Sequence, residues 1–264
     1  MSIKLYTKPI IIALYLCLLA FFQLPVTAIE SNELMFNKAM NFLGEGNYLE
    51  ANRVWNKYIL LYPDDPAAYS NRGNIRLILG DPQGDIYDQN KSLEILPNQI
   101  DPHLNRGIAE ETLKKWDDAK ADYQWIIDRD PNNSSAIYNL GNVMGALGDW
   151  TKAEFLFNKA SIERPSFVMA RVSKALANYQ LGKVDIAESE LRSLIRKYPM
   201  FADARAALTA LLWHKGFSGE AESNWIAVEG LDSRYSQKDW LVNIRRWPSE
   251  PTQDLVAFIE ITSR

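Results

Sequence analysis

The chain has 264 residues, 47% hydrophobic and 23% charged, with a formal net charge of −4 at neutral pH. That length and composition suit a globular protein of one or two domains with a sizeable core. The acidic balance leaves no basic excess to hold a phosphate backbone, so nucleic acid is not an expected partner.

The N-terminus stands apart. The stretch "MSIKLYTKPIIIALYLCLLAFFQLPVTAIE" carries Lys4 and Lys8, then an almost wholly apolar run from Ile10 to Leu24. Pro25 follows, with Val26 and Ala28 at the two small-residue positions of a signal-peptidase site. This is the three-part pattern of a secretory signal, cleaved after Ala28. The alternative is an uncleaved membrane anchor, because residues 9–29 are uncharged and just long enough to span a bilayer. Residues 1–28 are thus a signal peptide or an anchor, and both readings place the bulk of the chain outside the cytosol. The single cysteine, Cys17, lies in this segment as an apolar residue, so the remainder has no disulfide framework.

From residue 32 the sequence repeats. Proline recurs at Pro63, Pro97, Pro131, Pro165 and Pro199, each 34 residues after the last. Small residues recur with the same period at Ala39, Gly73, Gly107, Gly141 and Ala175. Alanine does so at Ala51, Ala119, Ala153, Ala187 and Ala221, and glycine at Gly46, Gly80, Gly148, Gly182 and Gly216, with single gaps in the last two series. Six units tile the chain without insertion: 32–65, 66–99, 100–133, 134–167, 168–201 and 202–235. Each reads as two helices of about 12–14 residues with a tight turn at the Gly-Asp between them. The small residues let paired helices approach. Trp55, Tyr123, Phe157, Leu191 and Trp225, one turn further along the second helix, fill the space between. The proline after each second helix stops it.

The fourth unit, "SSAIYNLGNVMGALGDWTKAEFLFNKASIERPSF", resembles a tetratricopeptide repeat, with Leu140-Gly141, Gly148-Asp149-Trp150, Ala153, Phe157, Ala160 and Pro165 at that family's spacing. The resemblance implies an all-α, right-handed solenoid of helix-turn-helix units whose stacked neighbours bury a shared core. Departures from the pattern are local. Asp85 and Gln89 stand for the alanine and aromatic of the second unit, Lys114 for the turn glycine of the third, and Ser233 for the last proline.

Residues 236–264, "SQKDWLVNIRRWPSEPTQDLVAFIEITSR", suggest helices around 237–247 and 252–262, separated by Pro248 and Pro251. A C-terminal cap over the last repeat is one expectation. A docking tail for a partner is the other, because Trp240, Arg245, Arg246 and Trp247 cluster and Arg and Trp are favoured anchors at interfaces. This tail also resembles those of exported repeat proteins of cyanobacteria and plastid thylakoid lumens, which implies a periplasmic or lumenal location.

No motif for chemistry emerges. The two histidines, His103 and His214, fall on first helices three units apart, and no metal-ligand set, nucleophile elbow or P-loop is present. No catalytic residue, cofactor or metal is expected. The resemblance instead implies a concave face lined by the first helices, with unit positions 2, 5, 9, 12 and 13 directed into it and an asparagine at position 6 beside them. Position 6 gives Asn37, Asn71, Asn105 and Asn139, and position 9 adds Asn74 and Asn142. Asparagine donates and accepts, so such a ladder suits the backbone of an extended peptide, although the same residues also suit a consensus that merely faces water. Tyr138, Val172, Leu176, Tyr179, Ala210 and Trp213 complete the expected groove and make its far half apolar. Gly145, at position 12, would leave a gap in the wall for a bulky ligand group. None of the position-5 residues is lysine, so the clamp by which some family members grip a C-terminal carboxylate is not evident. Glu33, Asp101, Glu111 and Asp203 tilt the groove acidic, against an acidic chaperone tail as ligand. The expected function is a protein-interaction scaffold or assembly factor; the alternative is an accessory subunit of a membrane-associated complex, docked through its C-terminal helices.

Overall fold

The sequence period becomes an alternation of helix lengths. The computed structural model describes residues 26–262, and all their regular structure is helical. The chain divides into two compact units between Asn98 and Gln99. The first contains α1 (Val26–Gly44), α2 (Tyr48–Leu61), α3 (Pro66–Ile78) and α4 (Pro82–Ile95). The second contains α5 (Ile100–Thr112), α6 (Trp116–Arg129), α7 (Ser134–Ala146), α8 (Trp150–Glu163), α9 (Val168–Gln180), α10 (Val184–Lys197), α11 (Ala202–His214) and α12 (Ser218–Leu231). A 3₁₀ turn (Ser233–Ser236), α13 (Lys238–Asn243) and α14 (Ser249–Thr262) follow. From α3 to α12 every first helix has 13 residues and every second helix 14. The expected leader or anchor, residues 1–28, lies almost wholly outside the described residues. Among the described residues no helix is long and apolar enough to cross a membrane.

Each pair turns through a left-handed residue, and in three of the six an Asn or Asp after it caps the second helix. Gly148 adopts φ +87°. This left-handed geometry lets Asp149 N–H donate to Met144 C=O at 2.9 Å and Gly148 N–H to Gly145 C=O at 3.0 Å, closing the end of α7. Asp149 then turns its side chain onto Lys152 N–H at 2.9 Å and caps α8. Lys114 makes the same turn at φ 57°, where a side chain is disfavoured.

Close approach within each pair follows from the small residues. A Cβ on Gly141 would lie 2.6 Å from the Phe157 ring, and one on Gly107 2.6 Å from the Tyr123 ring. Ala51, Ala119, Ala153, Ala187 and Ala221 are fully buried, as are Trp55, Tyr123 and Leu191. A buried side chain of Leu or Phe size contributes about 1.5–3 kcal/mol. In the second pair, Gln89 fills the aromatic position. Its amide donates to Asp85 Oδ1 at 2.8 Å, to Asn74 Oδ1 at 3.2 Å and to Ser70 C=O at 3.2 Å. Asp85 is fully buried, and burial pushes its carboxyl up to about 6.

The end of the chain departs from the sequence expectation. The first tail helix stops at Asn243, not 247, because Arg246 takes a left-handed φ of 56°. The second starts earlier, at Ser249, with Pro251 inside its first turn, where a missing N–H leaves no bond unmade.

Candidate protein-binding face

In the second unit the first helices share a face: α5 touches α7, α9 touches α11, and Tyr138 on α7 shares a 3.2 Å hydrogen bond with Ser173 on α9. The tail of the chain lies on this face. α14 packs on α11 and α9. Tyr179 donates to Asp254 Oδ2 at 2.6 Å, and His214 Nδ1 is 3.1 Å from the same oxygen. Gln180 Oε1 accepts from Glu250 N–H at 2.9 Å and from Ser249 Oγ at 3.2 Å, so a side chain of α9 caps α14. The Phe258 ring meets Trp213 at 5.8 Å and Trp225 at 6.0 Å.

The non-helical residues 244–248 cross the face ahead of α14. Arg245 pairs with Asp203 on α11, donating from Nη2 at 2.5 Å and from Nε at 3.1 Å, and it also contacts the Met169 sulfur on α9. Trp247 Nε1 donates to Asp203 at 3.2 Å, and the Tyr235 hydroxyl donates to it at 2.8 Å. Trp240 backs this cluster, its ring 4.9 Å from Tyr235 and 6.0 Å from the Arg245 guanidinium. Arg246 forms an ion pair with Glu111 on α5 and stands 5.9 Å from the Trp116 ring. Glu111 also accepts from the Tyr123 hydroxyl. Burial pushes its carboxyl up to about 7, with Arg246 pulling the other way. Burial works against the Arg245 charge, and Asp203 more than offsets it, so the guanidinium is held above its ordinary value. Beside this site Arg106 grips Asp122 through two bonds of 2.6 and 2.7 Å, and His103 stacks on Trp125 at 3.7 Å. Burial, with Asp122 nearby, pushes the neighbouring Glu110 carboxyl up to about 8.

Several expectations are corrected here. Val172, Leu176 and Tyr179 do not line an open apolar groove. They are buried in one core cluster with Trp247, Leu255 and Phe258 of the tail, and Trp213 packs against that cluster. Arg245, Arg246 and Trp247 do not project as a docking tail; they turn inward onto the chain's own first helices. Gly145 opens no gap, because the Trp150 ring lies 2.7 Å from where its Cβ would be. Asn105, Asn139 and Asn142 lie half-buried on α5 and α7, and Tyr138 packs its ring against Phe157 and Phe167. In the first unit Asn37 is exposed on α1, while Asn71 and Asn74 are half-buried on α3. Asp203, Glu111, Gln180 and Asp254 emerge as contact residues. The signal for the first two was the acidic tilt of positions 2 and 12 opposite a tail with paired arginines.

Tetratricopeptide-repeat models match residues 36–100, 104–167 and 170–199, together more than half of the chain. The chain is 31% identical over 100 residues to Hsp70-Hsp90 organizing protein 2 of Arabidopsis thaliana, covering 38% of this chain and 18% of that one. It is 28% identical over 125 residues to human mitochondrial import receptor subunit TOM34, covering 44% and 40% respectively. It thus spans less than half the length of either relative. A tetratricopeptide repeat protein from Parabacteroides merdae has the same fold, with a TM-score of 0.66 at 19% identity over 87% of this chain and 98% of that one. By its repeats and its fold, this chain belongs to the tetratricopeptide-repeat family.

Proposed function

We propose that the chain is a non-catalytic interaction scaffold or assembly factor that holds extended segments of other proteins against the first-helix faces of its repeats. One observation carries the reading: a non-helical stretch, residues 244–248, already lies on such a face and is gripped there by side chains of α5 and α11. Its relatives include an organizing protein for Hsp70 and Hsp90 and a mitochondrial import receptor subunit, which agrees with a role in holding proteins. Asparagine side chains at position 6, with Asn142 at position 9, have the donor and acceptor chemistry that suits a peptide backbone. Replacing Asn105, Asn139 and Asn142 with alanine is expected to weaken capture of a partner cross-linked in intact cells while leaving helicity intact by circular dichroism. Capture at the wild-type level sinks this reading.

A permanent subunit docked through Trp240, Arg245, Arg246 and Trp247 is less well supported, because the two arginines and Trp247 are engaged within the chain. We further infer export from the pattern of residues 1–28, and a periplasm or thylakoid lumen from the resemblance of residues 236–264 to the tails of exported repeat proteins. A mature N-terminus at Ile29 supports cleavage, and a start at Met1 or Ser2 refutes it.

A further inference from the structure

The tail is a sample of what the second unit's face selects. Asp203 and Glu111 are 2% and 3% exposed, and each holds one of two consecutive arginines. Carboxylates this deeply buried are costly without cationic partners. Around them the face supplies flat apolar contacts for the same segment: Trp116 beside Arg246, and Tyr235 6.1 Å from the Trp247 ring. Positive charge, positive charge and an aromatic ring are therefore read in that order.

The helices on either side of this segment are anchored through Leu241, Leu255 and Phe258, which are fully buried, whereas Arg245 and Arg246 are only half-buried. Within the non-helical stretch, the polar contacts to α5 and α11 come from the Arg245, Arg246 and Trp247 side chains. The helix that leads into it, α13, has six residues, and Val242, Asn243 and Ile244 are exposed. Arg246 meets Glu111 from a backbone at φ 56°, a state that L side chains rarely take. A separate segment with the same side chains is not tethered to α13, so it can reach both carboxylates without that constraint.

We propose that the face formed by α5 and α11 is a receptor for a partner segment with two consecutive arginines followed by an aromatic residue. Residues 245–247 are its internal occupant, displaced when that segment arrives. The proposal rests on the scaffold reading above and adds the chemistry of the ligand to it. It also explains why this face lacks the lysines that an acidic tail would need.

The test uses a fluorescent peptide of residues 242–250, VNIRRWPSE, titrated into the full chain and followed by anisotropy. Arg245→Ala/Arg246→Ala empties both carboxylates and is expected to bind the peptide about tenfold tighter than the wild type. Adding Asp203→Asn to that variant removes the gain, and a peptide with both arginines replaced by glutamate does not bind. Equal affinity for the wild type and the double variant, or no binding to either, overturns the proposal. Equal binding of the glutamate peptide also overturns it but leaves the scaffold reading standing, because the face would then hold segments without reading their charge. Circular dichroism checks that the double variant is folded. If it is not, Arg246→Ala alone, which frees Glu111 and leaves the Arg245–Asp203 pair in place, is used instead, with an expected gain of about threefold and no gain as the refuting result.

Discussion

Arg245 closes on Asp203 from 42 residues away in sequence, with Nη2 2.5 Å from one carboxylate oxygen and Nε 3.1 Å from the other. The same carboxylate accepts from Tyr235 and Trp247, so one buried acid joins α11, the 3₁₀ turn and the segment before α14. Asp203→Ala would leave Arg245 buried and unpaired. The expected loss is about 3–5 kcal/mol in urea unfolding, with trypsin cleavage after Arg245 appearing first. A loss below about 1 kcal/mol would mean that the pair has no structural weight.

Lys114 occupies the turn position that glycine fills in the other five pairs. Lys114→Gly is expected to raise stability by about 1 kcal/mol, because glycine reaches positive φ without a Cβ clash. The reverse change, Gly148→Lys, should lower it by a similar amount. Thermal unfolding of the two variants measures both signs.

Gly141 faces the Phe157 ring with no room for a methyl group. Gly141→Ala is expected to cost about 1–3 kcal/mol through overpacking, and adding Phe157→Leu should return part of that. Gly219, on the first turn of α12, has open space around its Cβ position. Gly219→Ala should stabilise by up to about 1 kcal/mol and serves as the control for helix propensity. If both alanines act alike, steric closeness at Gly141 is not the cause.

Two buried carboxyls keep their protons in the folded chain, to about pH 6 at Asp85 and 8 at Glu110. In the unfolded chain such groups deprotonate near pH 4. The folded state therefore binds more protons between about pH 4 and 8, so stability falls as pH rises across that window. Melting temperature should be higher at pH 5 than at pH 8. Asp85→Ala, which restores the repeat's usual residue, should flatten the lower part of the slope, from about pH 4 to 6. An unchanged slope there would show that Asp85 does not titrate as its burial requires.

The helix pairs were legible because their spacing answers to backbone needs. Gly148 must turn left-handed, Asp149 must cap and Gly141 must admit Phe157, and each need falls at a fixed place in the unit. The gap at Gly145 was misread because the unit position says which way a residue points. It does not say which side chain leans into the space, here Trp150. The tail shows the larger limit. The acidity of Glu111 and Asp203 and the basicity of Arg245 and Arg246 were both visible. Which acid meets which base depends on the path of residues 244–248, and that path hinges on the left-handed backbone of Arg246, which no local propensity encodes. The apolar residues at Val172, Leu176 and Tyr179 were equally suited to a foreign segment or to the chain's own end.

Asp149 has a further consequence for how such a chain can change. One residue both finishes α7 and starts α8, so the joint contains no spare length. A single inserted residue would swing the following helix by about 100° and present its buried stripe to water. Growth and shrinkage are thereby quantised: lineages can gain or lose whole helix pairs, while the hinges between helices are closed to gradual drift in length.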